Sequence, residues 1–421
     1  MSRGARILAC GALTLPLVVA GCGNGARDAD SLEISTISGA PDDPIDTVVR
    51  EFRAANPGVT ITVKKAPFDQ HLQGIRRRLS TGRPPDVVTT LPGYGEPSSS
   101  ASLADRDLLL DLSASPWAKE ILEADRRITG DGKRTFVYPV SSQAVGTFFD
   151  PTVLAREGVS VPTTFSQVLT LCRTVARKGK TAFAMTGQEG AGLTVFVAFA
   201  LAASDVFADD PRFGERRLAG GTTFGGTAGW ARSMERFQQM KDAGCFDKGA
   251  AGSSREAAAR AFAKGDALMA VGTTVTLRLF QAGDPNLKLK MFPFPGSDDP
   301  AKVRIPIGPA VGLVVPKKAG NPELARKFLD FYAEGRERYA QLDASVPAIP
   351  VGTRGPDVPD YAESLRPYLR AGKTAPIMDQ HWPNPEVRTQ YANGLTEILL
   401  GKKDPRPSLK AMDAAWTEQA P

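Results

Sequence analysis

The stretch Leu32-Glu33-Ile34-Ser35-Thr36-Ile37, taken with the chain from there to Thr90, decides the fold. Its apolar and polar residues alternate, the period of a strand with one buried face. Ser38-Gly39-Ala40-Pro41-Asp42-Asp43-Pro44 ends it in a loop rich in turn formers. Ile45 to Ala55 then reads as an amphipathic helix, with Ile45, Val48, Val49 and Phe52 on one face, and Asn56-Pro57-Gly58 stops it. Val59 to Lys64 alternates again. His71 to Ser80 predicts a second helix, Thr81-Gly82-Arg83-Pro84-Pro85 a turn, and Asp86 to Thr90 a more buried strand. Strand, helix, strand, helix, strand at this spacing is the pattern of parallel βαβ units in an α/β fold. Ligands of such sheets sit at the carboxyl ends of the strands. Those ends are the loops Gly39–Asp43, Phe68–Gln70 and Leu91–Glu96.

Upstream, Arg3 and Arg6 precede a mostly apolar run from Ile7 to Ala20, too short to cross a bilayer comfortably. A positive start, a short apolar core and small residues before Cys22 predict a secretory signal over residues 1–21. Val19-Ala20-Gly21-Cys22 resembles a bacterial lipobox, in which the cysteine sulfur takes a diacylglycerol; an ordinary signal peptide with a chance cysteine is the plainer alternative. On the lipobox reading, residues 22–30 are a flexible tether. The protein is then extracytoplasmic and lipid-anchored to the outer face of the cell membrane.

The remaining length suits two domains. The formal charge of +6 falls to +4 once Arg3 and Arg6 leave with the leader. Arg76-Arg77-Arg78, the densest basic run, reads as a solvated helix face in preference to a nucleic-acid patch, so no nucleic-acid partner is expected. Of four cysteines, Cys10 leaves with the leader and Cys22 is the lipid site. Cys172 and Cys245 remain, either as a disulfide or as two buried thiols. His71 and His381 have no ligand-like spacing, so neither a metal nor a cofactor is expected.

Further along, Ser166 to Arg177, Thr227 to Ala243, Ser253 to Lys264, Asn321 to Tyr332, Glu386 to Leu400 and Ser408 to Trp416 predict helices. Leu193 to Ala203 is apolar all round, a buried helix, and Ala267 to Val271 is a buried strand.

Phe52-Arg53-Ala54-Ala55-Asn56-Pro57-Gly58-Val59 followed by Gly82-Arg83-Pro84-Pro85-Asp86-Val87 resembles the opening of the family-1 extracellular solute-binding proteins. These are the maltose-binding-protein-like receptors of ABC importers. The likeness continues through Tyr138-Pro139, Phe148-Phe149-Asp150-Pro151, Pro162-Thr163-Thr164-Phe165, Ala261-Phe262-Ala263-Lys264-Gly265-Asp266, Phe292-Pro293-Phe294-Pro295 and Asn321-Pro322-Glu323-Leu324-Ala325. No piece is specific alone; their order over most of the chain carries the resemblance. It implies a two-lobed α/β fold of the periplasmic-binding-protein type II class, with a hinge and an interlobe cleft. Residues 31–144 and 296–346 would form lobe 1, and 145–295 with 347–421 lobe 2. Crossings fall near Ala144–Thr147, Pro293–Gly296 and Val346–Ala348. A monomer that hands its solute to the transmembrane subunits of an ABC permease is implied as well.

An enzyme is the rival class. The chain has no Gly-x-Ser-x-Gly elbow, no His-Glu-x-x-His pair and no phosphate loop. A sugar receptor instead needs aromatic faces to stack on pyranose rings, with amides, carboxylates and hydroxyls for the sugar hydroxyls. Trp117, Trp230 and Trp416 read as packing residues. Trp382, in the proline-rich loop Gln380-His381-Trp382-Pro383-Asn384-Pro385, reads equally as core or as a stacking platform. Strand-end position and the resemblance together nominate Asp42, Asp43, Gln70, Tyr94, Glu96, Gln143 and Glu189. Where the family often carries an aromatic, this chain has Gly272-Thr273-Thr274-Val275, which makes Thr273 a candidate and points to a smaller or more polar ligand. A mono- or oligosaccharide is the expected solute; a glycerophosphodiester or a polyamine is the alternative.

Overall fold

The computed structural model describes residues 30–38, 43–187, 192–281, 284, 286–351, 357–402 and 404–418. Cys22, Asp42 and Glu189 lie outside them. The strands are β1 Ser31–Ile37, β2 Thr60–Ala66, β3 Val87–Thr90, β4 Tyr138–Phe149, β5 Thr181–Phe183, β6 Ala267–Thr273, β7 Lys290–Phe292, β8 Ile305–Val314 and β9 Thr374–Pro376. The principal helices are α1 Pro44–Ala55, α2 Phe68–Ser80, α3 Phe165–Arg177, α4 Gly192–Ala202, α5 Ala228–Asp242, α6 Arg255–Ala263, α7 Pro322–Glu334, α8 Arg336–Leu342, α9 Pro385–Leu399 and α10 Arg406–Thr417.

The opening βαβ pattern folds as its periodicity requires. Leu32, Ile34 and Thr36 are the buried positions of β1, and β1 runs parallel to both β2 and β3. Asp43 caps α1, its Oδ1 accepting from the Ile45 amide at 3.1 Å, and Pro44 fills the first turn where no amide partner is needed. Helix α2 starts three residues earlier than the alternation suggests, because the His71 amide reaches back to the Pro67 carbonyl at 2.8 Å and closes a first turn from Phe68. The fully buried Asp86 carboxylate ties this layer to the returning chain: it accepts from the Glu33 amide at 2.7 Å and the Asn321 amide at 3.0 Å.

The sheet order is β2-β1-β3-β8-β4-β6-β5, with β7 on β4 and β9 on β8. Strand β4 serves two ladders. Tyr138 to Ala144 pairs with β8, whereas Val145 to Phe149 pairs with β6 and β7. The apolar cores divide at the same place. One gathers Leu32, Ile34, Phe52, Trp117, Tyr138, Phe328 and Tyr332; the other gathers Cys172, Phe183, α4, Trp230, Phe237, Trp382 and Tyr391. A smaller cluster, with Ala144, Phe148, Ile305 and Leu365, fills the junction. Two lobes therefore share two continuous strands.

Two stretches near the expected crossings are held by specific bonds. Ser297 and Asp298 accept from the Phe165 amide at 3.2 Å and the Ser166 amide at 2.7 Å. Ile349 packs in the first core, and Arg336 holds its carbonyl at 3.1 Å and that of Pro350 at 3.3 Å. A π-helical turn at Ala203–Phe207 sets Asp205 under Arg236, 3.3 Å away, and the same arginine donates to the Gly296 carbonyl. Burial pushes the Asp205 carboxyl up to about 6 against the pull of Arg236 and Arg232.

Cys172 of α3 and Cys245, just past α5, are disulfide-bonded, which resolves the two readings of the sequence. The bond closes a sequence separation of 73 residues wholly inside the second lobe. Replacing both cysteines with alanine should cost about 2–4 kcal/mol in urea unfolding, with dithiothreitol reproducing the loss in the native protein. Acid should act through Glu51 of α1, which accepts from Arg338 at 2.7 and 2.6 Å and from the Tyr339 hydroxyl at 2.8 Å. The Arg338 hydrogen bonds, then that of Tyr339, hold its carboxyl at about 2, below the ordinary 4.5. Its stabilisation is thus complete above the unfolded-state value and is lost as pH falls through the folded one. Glu51→Gln should be less stable than the native protein at pH 7, with the gap closing as pH approaches 2 in a series of urea titrations.

Candidate functional site

The carboxyl ends of β1, β2 and β3 face the second lobe, so the interlobe cleft is where the parallel sheet presents its loops. A chamber of about 520 Å³ opens there. One wall is the first turns of α2, with Phe68, Leu72, Gln73 and Arg76; residues 95–98 form the base, and Pro385, Glu386, Arg388 and Thr389 of α9 form the opposite wall. Two other hollows, beside α7 and beside α3, lie on single lobes and away from the strand ends.

Local sequence explains the far wall. Asn384 caps α9, its Oδ1 accepting from the Glu386 amide at 2.9 Å, and Pro385 occupies the first position. Val387, Tyr391, Leu395 and Ile398 then face the second core, which leaves Glu386, Arg388 and Thr389 on the cleft side. Arg388 crosses the cleft: its Nη1 lies 2.5 Å from Glu96 Oε1 and its Nε 2.9 Å from Asp379 Oδ2. Elsewhere along the cleft Arg255 of α6 sits over the Phe68 ring, 5.9 Å from its centroid.

Deeper in, the lobes meet through uncharged groups. Gln143 and Gln380 both donate to the Pro309 carbonyl, at 3.2 and 2.7 Å. The Tyr94 amide donates to the Gln380 carbonyl at 3.2 Å. Gly93, at φ +76°, is required there, since a Cβ would stand 2.1 Å from that carbonyl oxygen. Beside it, burial together with the Arg127 charge lowers the His381 imidazole to about 4, so the ring is neutral at ordinary pH. At a further point Tyr361 donates its hydroxyl to the Thr274 carbonyl at 2.6 Å. Burial raises the nearby Asp343 carboxyl, opposed by its hydrogen bonds with Ser345 and by the charge of Arg278.

The residues nominated from sequence fare unequally. Glu96 lines the chamber and is paired with Arg388. Gln143 donates to the Pro309 carbonyl and is not among the residues lining the chamber. Asp43 serves as a helix cap and salt-bridges Lys65 at 3.1 Å. Gln70 stands exposed on α2, one turn from a loop position, because the helix begins early. Burial, with the charge of Asp105 beside it, pushes the Tyr94 phenol up to about 12; its ring is taken up within lobe 1. Thr273 is 1% exposed and does not reach the cleft surface. Trp382 is corrected outright: it is 3% exposed, and Phe199, Phe224, Trp230 and Tyr391 surround it at centroid distances of 5.7 to 6.3 Å. The prolines that argued for a loop hold it into the core. Asp42 and Glu189 fall outside the described residues.

Sequence reading missed Phe68, Arg76, Glu386, Arg388 and Asp379. The Asn384-Pro385 pair with Glu386 after it was the available signal for a helix start and hence for Arg388 on its first turn. Among the described residues no group of three or more His, Cys, Asp or Glu could hold a metal ion, and no helix is long and apolar enough to cross a membrane.

Comparison with known proteins agrees with this architecture. Residues 38–334 match the family model of the bacterial extracellular solute-binding proteins. A multiple sugar-binding protein of Streptococcus mutans serotype c is 20% identical over 366 residues, covering 84% of each chain. A structure from work on xylan utilisation by Caldanaerobius polysaccharolyticus superposes with a TM-score of 0.76 at 19% identity, over 91% of this chain and 99% of that one. A solute-binding protein in complex with raffinose gives a TM-score of 0.70 at 19% identity, over 91% and 98% of the two chains.

Proposed function

The chain belongs to the bacterial extracellular solute-binding proteins, and on that premise we propose that it captures a saccharide in the interlobe chamber and delivers it to an ABC permease. The family's work is reception outside the cytoplasm, without making or breaking bonds. The observation that carries the saccharide is the chamber's lining. Two arginines, Arg76 and Arg388, are matched by two glutamates, Glu96 and Glu386, and the rest is one aromatic ring, amide, hydroxyl and aliphatic surface. A charge-balanced, polar space with one aromatic ring suits a neutral polyhydroxylated ligand. A phosphodiester would call for unmatched cations, a polyamine for unmatched carboxylates. The chamber's size accommodates more than one sugar ring, which favours an oligosaccharide. The sugar-binding relative from Streptococcus mutans and the raffinose complex support the same class.

Closure in this reading brings residues 31–144 together with the β8-to-α8 return against the rest of the chain. Solute favours the closed form only through contacts it makes there and not in the open one. The closed receptor then docks on the permease as a monomer. Residues 1–21 act as the signal peptide, and Cys22 carries the lipid that holds the receptor at the outer face of the membrane.

Two measurements test this. The domain without its leader and with Cys22 removed, screened by thermal shift against saccharides, glycerophosphodiesters and polyamines, should respond saturably to an oligosaccharide. At 100 times the dissociation constant the gain is about 2.7 kcal/mol, or a few degrees for a chain of this length. Phe68→Ala should weaken that binding about tenfold. A response confined to phosphodiesters or polyamines would refute the saccharide; release of product would refute the receptor. For the anchor, cells labelled with radioactive palmitate should mark the native protein and leave Cys22→Ser unlabelled and shed into the medium. Equal labelling of both forms would remove the lipidated cysteine.

A further inference from the structure

We propose that Arg388 is a positioning residue for lobe closure: a cation that Asp379 holds on the second lobe and that docks on Glu96 of the first, favouring the closed form without solute. The inference rests on the two-lobed fold and is independent of which solute is bound.

Each member of the triad is anchored on its own side. Arg388 sits in the first turn of α9, which is bolted to the second core through the fully buried Val387, Tyr391 and Leu395. Glu96 belongs to the turn after β3, where its amide donates to Ser99 Oγ at 2.9 Å and the neighbouring Ala101 amide to the Gly93 carbonyl at 3.0 Å. Asp379 lies in the turn after β9, and β9 pairs with β8. That turn is held from the first-lobe side by the Tyr94 amide on the Gln380 carbonyl and by the Gln380 side-chain amide on Pro309. Ile377, Met378 and Trp382 on either side of Asp379 pack in the second core, so one guanidinium pairs with a carboxylate of its own lobe and reaches across the cleft to Glu96.

Solvent is largely kept from the contact: the side chains of Arg388, Glu96 and Asp379 are 21%, 31% and 13% exposed. Asp379 Oδ1 is buried and has no hydrogen-bond partner among the described residues. That carboxylate needs the arginine as its counter-charge, and so keeps the guanidinium on the second lobe in the position that faces Glu96. The open form returns Glu96 and the facing side of Arg388 to water, where the attraction across the gap is small and screened. The Arg255 guanidinium over Phe68 repeats the polarity of the contact, a second-lobe cation meeting a first-lobe electron-rich group. Charge thus pulls the lobes together before any ligand contributes. Because observed affinity scales with the fraction of receptor in the binding-competent state, the same arginine also sets how tightly solute binds in practice.

The test is made on solute-free protein, so that a wrong assignment of the solute does not affect it. Spin labels at Arg77→Cys on α2 and Lys410→Cys on α10, both exposed, report the interlobe distance by pulsed electron resonance in protein lacking Cys22. The native sequence at low ionic strength should show a short-distance population that shrinks about fivefold in 1 M salt, where screening reaches within about 3 Å. Arg388→Ala should show only the long distance at both salt concentrations. Arg388→Lys, whose single ammonium cannot bridge two carboxylates, should fall between. Asp379→Asn removes the carboxylate that holds Arg388 in place without altering the residues that line the chamber, and it should shift the distribution the same way as Arg388→Ala while leaving the circular dichroism unchanged. Native protein that is wholly open at low salt, or Arg388→Ala and Asp379→Asn distributions identical to the native one, would overturn the proposal.

Discussion

Everything in this molecule hangs on the antiparallel pairing of β4 with β8. Each strand begins in one lobe and ends in the other, so the two lobes are hydrogen-bonded to a common pair of rods. The lobes can twist about that pair but cannot drift apart. Its sequence also makes it compliant in the right place. Strand β8 contains Pro306 and Pro309, which carry no amide hydrogen, and the β4–β8 register slips between Pro139, Ser141 and Ser142. Missing rungs near the crossing lower the cost of bending there. The side-chain amides of Gln143 and Gln380 converge on the Pro309 carbonyl and restore part of what the prolines remove.

That mechanical arrangement separates what a sequence can disclose from what it cannot. Periodicity reports local burial, so the alternation of Leu32, Ile34 and Thr36 and the unbroken apolar run Leu193 to Ala203 were readable directly, as was the family from the order of its motifs. Glu96 and Arg388, by contrast, stand 292 residues apart and meet only because two lobes close. No window of sequence holds both. Trp382 failed for a related reason. Its prolines correctly denied it a helix, but whether a loop tryptophan faces solvent or core is decided by Phe199, Phe224 and Trp230, which belong to other parts of the chain. A crossing looks like a Gly-Pro-rich stretch, yet Ile349 and Pro350 stay with the first lobe because one arginine, Arg336, holds their carbonyls.

The two lobes also differ in how they are made rigid. The first relies on buried polar clamps. Asp86 fastens β1 to the start of α7, and His71, kept neutral by burial, holds the Thr89 carbonyl at 2.7 Å. The second relies on aromatic packing around Trp230 with a covalent tie from Cys172 to Cys245. Clamps of the first kind fix strand ends and so fix the loops that face the cleft. Aromatic packing fixes helix against helix, and α9 inherits its orientation from it.

The burial of Trp382 has a consequence for how the chain is made. A ribosome delivers the polypeptide amino end first, and domains ordinarily fold as they emerge. Here neither lobe can do so. The first waits for β8 and α7, and the cage of Phe199, Phe224, Trp230 and Tyr391 stays open until the tryptophan near the far end arrives to fill it. The nascent protein therefore remains loose until synthesis is nearly finished.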